Sequence, residues 1–354
     1  YEGVRVFDIS DPSNMNLVAK GTSTSRFGYV HDILVNGNYA CVANMGGGFS
    51  LFNIAMPTTP KYITQLDTHG IYYDVRVTGD RAYVAADYEM MVFDISDPTN
   101  PVHMGSVEWA RAGIGGVKGN YVFVDDGWRA LGIIDGSSPA KPVVANQYSD
   151  HTKVGPIVGN TMYLGKKGQV RILDISSLPS LRLLGMANVT TNDQYPPSMA
   201  LKDNYLFAGF GVTGVKILDV SDPTNVKEVG GFFEGTRPNS MALQGNYLYI
   251  LSDYYMFTYD VTNPLAPVQT SKLKHGSWNT GGAYGIGRFA IYKNYVISGE
   301  ANGVIAWDIS TPAQPTTGVL IHLPSQSPGT ISGFDFDANN KFYAAASYKG
   351  LIIN

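Results

Sequence analysis

The residues best suited to chemistry in this chain are its six histidines, its four tryptophans and a scatter of arginines. His31, His69, His151, His275 and His322 fall in or beside the segments that join one hydrophobic run to the next, and only His103 belongs inside a run. The same segments carry Tyr73, Trp109, Arg111, Tyr195, Arg237, Trp278 and Arg288, and shorter loops add Trp128 and Arg129. Imidazole rings, guanidinium forks and aromatic faces converging on one mouth would stack on sugars or grip a protein partner. These positions, His322 and His103 apart, form the expected ligand-binding face.

Other chemistries lack their signatures. No His-x-x-x-His or Cys-x-x-Cys spacing is present, so neither a metal nor any other cofactor is expected. No Gly-x-Ser-x-Gly elbow presents a hydrolase nucleophile, and no catalytic residue is assigned. The glycine-rich run at 281–287 precedes no helix whose amide dipoles would hold a phosphate, so it reads as a loop. Asp125-Asp126-Gly127 stands without EF-hand spacing and reads as a solvated turn.

Bulk properties narrow the partners. Net charge is −4 with 15% charged residues and no long Lys/Arg run, which argues against nucleic acid. No apolar run approaches the roughly 18 residues of a membrane span, so no membrane insertion is expected. Cys41 is the single cysteine, which excludes an internal disulfide. Such thiol poverty fits a reducing cytosol, and equally a bacterial or archaeal surface protein. The chain opens at Tyr1, without methionine, and reads as a processed or trimmed product.

What must position the candidate residues is a repeat. The hexapeptide Phe-Asp-Ile-Ser-Asp-Pro stands at 7–12 and again at 93–98, and variants recur along the chain. Its first aspartate defines a series: Asp8, Asn53, Asp94, Asp135, Asp174, Asp219, Asp260, Asp308 and Asn354. Successive members lie 39 to 48 residues apart, close to the roughly 40–50 residues of one four-stranded propeller blade. A second mark is a tight turn such as Asn36-Gly37-Asn38 or Thr78-Gly79-Asp80. Gly, Asn and Asp tolerate the positive φ that two-residue hairpins demand. One period then reads as strand a (74–78), strand b (81–86), strand c (91–95), a Ser-Asp-Pro turn and strand d (103–107). Proline cannot donate to a ladder, so Pro98 and Pro101 must lie between strands. The aspartate of the series is expected to bond turn amides.

Apolar residues alternate or come in short runs, as in Val215–Val220, and no helical period appears. The expected fold is all-β: one β-propeller domain over 1–354, with eight blades of four antiparallel strands. Seven blades is the alternative. The N-terminus brings a c strand (3–9) and a d strand (16–21), and the C-terminus brings a, b and a short c (350–354). N-terminal strands pairing with the C-terminal blade would close the ring, with one c strand in surplus.

The runs Val4-Arg-Val-Phe-Asp-Ile-Ser-Asp-Pro12, Met91-Val-Phe-Asp-Ile-Ser-Asp-Pro98 and Val215-Lys-Ile-Leu-Asp-Val-Ser-Asp-Pro223 resemble the LVIVD-repeat family. Gly303-Val-Ile-Ala-Trp-Asp-Ile-Ser310 and Val170-Arg-Ile-Leu-Asp-Ile-Ser176 fit as well, so the resemblance spans the chain. It implies a β-propeller of bacterial or archaeal surface and secreted proteins, and it carries no catalytic motif. The expectation is therefore a non-enzymatic extracellular or cell-surface module that binds a protein or glycan partner through its irregular loops. Two alternatives are a carbohydrate-active lyase or hydrolase with an axial His/Arg/acid site, and a structural unit of a larger surface assembly.

Overall fold

Short β-branched and aromatic runs bounded by Gly, Asn, Asp and Pro favour strands joined by tight turns, and that is what forms. The computed structural model describes residues 4–8, 16–21, 29–45, 48–66, 72–86, 88–97, 100–109, 113–125, 130–148, 152–191, 198–274, 289–300, 303–316, 320–322, 331–336, 341–346 and 350–353.

The chain opens with β1 (Val4–Asp8) and β2 (Asn16–Gly21). Seven consecutive groups of four then follow. They are β3 (Tyr29–Asn36), β4 (Tyr39–Met45), β5 (Gly48–Asn53) and β6 (Lys61–Leu66); then β7 (Tyr72–Thr78), β8 (Arg81–Ala86), β9 (Glu89–Asp94) and β10 (Val102–Glu108). Next come β11 (Gly113–Lys118), β12 (Tyr121–Asp125), β13 (Leu131–Asp135) and β14 (Val143–Tyr148), followed by β15 (Thr152–Val158), β16 (Thr161–Lys166), β17 (Gln169–Asp174) and β18 (Arg182–Asn188). The fifth group is β19 (Met199–Lys202), β20 (Tyr205–Gly209), β21 (Val215–Asp219) and β22 (Lys227–Phe232). The sixth is β23 (Ser240–Gln244), β24 (Tyr247–Leu251), β25 (Tyr255–Asp260) and β26 (Val268–Lys274). The seventh is β27 (Phe289–Tyr292), β28 (Tyr295–Glu300), β29 (Gly303–Asp308) and β30 (Leu320–His322). The chain ends with β31 (Ile331–Phe336), β32 (Lys341–Ala346) and β33 (Gly350–Ile353).

Each group of four is an antiparallel sheet in sequence order, a to d. The molecule is an all-β propeller with seven blades of four strands, which corrects the expectation of eight such blades. The remaining strands make a five-stranded sheet, ordered β2-β1-β32-β31, with β33 also on β32. The reason is the surplus c strand. β1 and β33 both pair with β32, so neither terminus completes a regular four-stranded unit. Asp8 faces Lys341, the first residue of its b strand, as Asp94 faces Arg81 and Asp260 faces Tyr247. Asp8 thus fills the repeat position in this sheet, while Asn354 lies outside the described residues.

Turn chemistry explains the hairpins. Gly37, Gly79, Gly119, Gly159 and Gly245 all have φ between 56 and 59°, and Asp203 and Lys293 adopt 52 and 51° in the equivalent turns. Residues that follow these turns, including Tyr39, Tyr121, Tyr205, Tyr247 and Tyr295, are half-buried, as expected of packing residues.

The core lies between sheets. Cys41, Ala43, Phe49 and Leu51 of one blade pack on Tyr72, Val75, Ala82, Val84, Met91 and Phe93 of the next. Phe49 and Phe93 stack with ring centroids 4.7 Å apart; truncating either to alanine would cost about 3–5 kcal/mol. Strand d meets the c–d turn of the next blade so closely that a Cβ at Gly185 would stand 2.2 Å from the Pro223 carbonyl oxygen. The equivalent Gly105 would meet the Ala140 oxygen at 2.6 Å.

Candidate functional site

Two faces with different chemistry emerge from this frame. On one, the repeat residue caps its own turn. The side-chain oxygens of Asn53, Asp94, Asp135, Asp174, Asp219, Asp260 and Asp308 each accept the N–H two residues on, at 2.7–2.9 Å. The intervening residue donates to the a–b turn of the same blade: Ile54 to Asn38 O, Ile95 to Asp80 O, Val220 to Asn204 O, Ile309 to Asn294 O. The a–b and c–d turns are thereby tied together on one side. Ser96, Ser221 and Thr262 hold the Asp94, Asp219 and Asp260 carboxyls below the usual range by hydroxyl and backbone bonds. Arg182, at 2.7 Å, and then Ser176 take Asp174 down to about 2.

Neighbouring blades are also stitched on this side. Lys118 donates from Nζ to the Gly159 carbonyl and to Asn160 Oδ1, Lys202 to Asn246 Oδ1 at 2.9 Å, and Gln244 to the Lys293 carbonyl at 2.9 Å. The commonest residues of the repeat are therefore committed to scaffold bonds.

Around the axis the a strands form a second, polar ladder. Asp32 Oδ2 accepts the Val75 N–H of the next blade at 3.3 Å, and Asp74 Oδ2 accepts the Ile114 N–H of the blade after that at 2.9 Å. Asp335 Oδ2 accepts the Val35 N–H at 2.8 Å, and Ser198 Oγ accepts the Met241 N–H at 2.9 Å. Arg76 joins the acids, donating to Asp74 Oδ1 at 2.5 Å, to Asp32 Oδ2 at 3.1 Å and to the Val75 carbonyl at 2.8 Å. Burial works to lower the Arg76 pKa, but Asp74 and Asp32 outweigh it and hold the guanidinium charge above its ordinary range. On β15, burial lowers the Lys153 ammonium, with Asp125 acting in the opposite sense.

The other face carries the b–c loops and the d-to-a connections. His31 and Tyr73 occupy equivalent places there, each the extra residue of a bulge at the start of its a strand, between Val30 and Asp32 and between Tyr72 and Asp74. Bulges re-aim side chains, and they recur at sites. His31 stands near the start of β3 and His322 at the end of β30, beside the connections. Trp109 donates its backbone N–H to the Tyr88 carbonyl at 2.9 Å, and its ring rests on the next blade, where a Cβ at Gly132 would come within 2.8 Å. Its neighbour Tyr88 is 74% exposed. Arg237 is exposed in the connection after β22, which begins at Phe233 with a φ of 66°. Phe233 is held there by edge contact with Phe257 at 4.7 Å. Thr191 and Thr213 share a hydroxyl hydrogen bond of 2.8 Å between adjacent blades.

Of the expected ligand-binding residues, His69, Arg111, Trp128, Arg129, His151, Tyr195, His275, Trp278 and Arg288 lie outside the described residues. Among the described residues, no group of three His, Cys, Asp or Glu side chains is placed to hold a metal ion. Sequence reasoning missed the axial ladder. A signal existed, since Asp32 and Asp74 each precede a turn glycine, Gly37 or Gly79, by five positions.

Comparison with known proteins follows the same lines. The LVIVD repeat profile matches residues 2–22, 27–68, 69–108, 116–150, 196–233 and 238–273. A search of curated proteins gives no match. Among solved structures, the computationally designed Ika8 protein superposes with a TM-score of 0.69 at 15% identity, covering 94% of this chain and 98% of that one. BamB from Moraxella catarrhalis gives 0.64 at 15% identity, covering 91% and 92%. Chaetomium thermophilum Sqt1, solved bound to the N-terminus of ribosomal protein L10, gives 0.60 at 14%, covering 81% and 84%. At these identities the likeness concerns the fold alone. Among the described residues, no helix is long and apolar enough to cross a membrane.

Proposed function

Since the chain belongs to the LVIVD repeat family, we propose that it is a non-enzymatic binding and scaffold module of the bacterial or archaeal cell surface or exterior, which engages a protein or glycan partner through its loop face. The division between the two faces carries this reading. The repeat residues are spent on identical turn-to-turn bonds in seven blades, whereas Tyr88, Trp109 and Arg237 stand in segments free of that pattern. Variable loops on a rigid frame are where recognition concentrates. The axial acids fit the same reading, because Asp32, Asp74 and Asp335 spend carboxylate oxygens on the backbone of the next blade. The Sqt1 complex provides a precedent for a propeller of this shape holding a peptide segment.

The test is a glycan array and a pull-down from surface extracts with the full chain, followed by two block variants. The loop-face block is Tyr88→Ala with Arg237→Ala; the turn-face block is Lys61→Ala, Lys141→Ala and Lys227→Ala. The expected result is at least a tenfold loss of binding for the first block and none for the second. Loss with the turn-face block alone, or turnover of a polysaccharide by the purified chain, refutes the proposal.

A further inference from the structure

The outer edge of β32 is shared by two strands. β1 pairs there through Asp8 and Phe7, opposite Lys341 and Phe342. β33 takes the rest of the edge, with Ile353 opposite Tyr343 and Gly350 opposite Ala346. Along its other side β1 is paired with β2 over its full length, from Val4↔Gly21 to Asp8↔Asn16. Residues 4–6 are therefore already extended and aligned, yet the ladder from β1 to β32 stops at Phe7.

In regular blades that ladder continues. Pairing that starts at Asp308↔Tyr295 runs on to Gly303↔Glu300, and pairing that starts at Asp174↔Thr161 runs on to Gln169↔Lys166. The same rule applied to β1 sets Val6 opposite Tyr343, Arg5 opposite Ala344 and Val4 opposite Ala345. Those are the positions now held by Ile353, Ile352 and Leu351. Two segments thus compete for one row of backbone donors and acceptors. β1 would gain three residue pairs where β33 holds four, so the two arrangements differ by a single ladder position. Both strands carry β-branched residues that suit the slot, Val4 and Val6 in one and Ile352 and Ile353 in the other.

We propose that β1 and β33 exchange at this edge. In one state β33 caps β32 as described. In the other, β1 zips along β32, and β33 is released as a free strand. Such an equilibrium between two close states is open to bias by anything that binds one of them. A released β33 would present an unpaired edge, which pairs readily with another chain.

Two cysteine pairs in a Cys41→Ala background distinguish the states, because directly opposed strand residues lie within disulfide reach. Ile353→Cys with Tyr343→Cys reports the β33 arrangement, and Val6→Cys with Tyr343→Cys reports the β1 arrangement. Under a glutathione buffer both pairs are expected to close, as read by peptide mass spectrometry. A Val6/Tyr343 pair that stays reduced while Ile353/Tyr343 closes overturns the exchange. A second measurement needs no cysteine. Leu351→Pro and Ile352→Pro, made separately, remove strand N–H groups of β33 without touching β1. Amides along residues 343–345 should keep their hydrogen-exchange protection in the variant that breaks the ladder, as β1 takes over. Collapse of that protection to the level of free loops refutes the proposal.

Discussion

Replacing Asp32 tests the axial ladder most directly. The residue is 3% exposed, and its Oδ2 receives the Val75 N–H at 3.3 Å and Arg76 at 3.1 Å. Hydrogen bonds to a charged group contribute about 1.5–3 kcal/mol, and a buried N–H left without an acceptor costs about 1–3 kcal/mol. Breaking an isolated buried ion pair costs about 3–5 kcal/mol. Here Arg76 keeps Asp74 Oδ1 and the Val75 carbonyl, so its charge is not stranded and that upper range is not reached. Asp32→Ala is expected to lose about 2–3 kcal/mol. Asp32→Asn should lose about half as much, because its amide oxygen can still accept the Val75 N–H. Equilibrium unfolding in urea gives the free energy, and hydrogen exchange at Val75 reports whether the loss is local. An Asp32→Ala protein within about 0.5 kcal/mol of the parent, the span of an ordinary surface substitution, with Val75 equally protected, would show that the ladder does not hold blades together.

Further outcomes follow from the turns and the core. The Asp94, Asp174, Asp219, Asp222 and Asp260 carboxyls are held below the usual range, Asp174 at about 2. Their contribution is therefore complete above the ordinary carboxylate value near 4 and is lost as pH falls through the lowered folded values. Thermal melts between pH 5 and pH 2 should show this loss. Asp219→Asn should blunt it while retaining the turn, as Asn53 already does with an amide oxygen at 2.9 Å from Ala55 N; an unchanged pH profile would count against the carboxyls as its source. Gly185→Ala drives a Cβ toward the Pro223 carbonyl and should cost about 1–3 kcal/mol. Gly230→Ala meets only Ile217 Cδ1 at 3.5 Å and should be neutral or stabilising by up to about 1 kcal/mol in the same urea titration. Thr258 is fully buried, and its hydroxyl finds no hydrogen-bond partner. Thr258→Val should then raise the urea midpoint or leave it unchanged, and a clear fall would reveal a partner for that hydroxyl.

Much of this architecture was legible in the chain because its determinants are local. A positive φ at Gly37 or Gly79, a carboxylate two residues before a turn amide, and alternation over five or six residues are each complete within about ten positions. Repeated at a period near one blade, they determined the propeller, the a-to-d order and the structural part played by the aspartates. The ring closure was decided elsewhere. β1 and β33 each read as a c strand, and no local signal says that both will meet β32, because that depends on which edge remains free after the whole ring has formed. The axial ladder is of the same kind: Asp32 looks like any other strand aspartate until folding brings it beside Val75 and Arg76, 43 and 44 residues away. Local chemistry made the blades, and only their packing in three dimensions set which polar groups would bind the next blade.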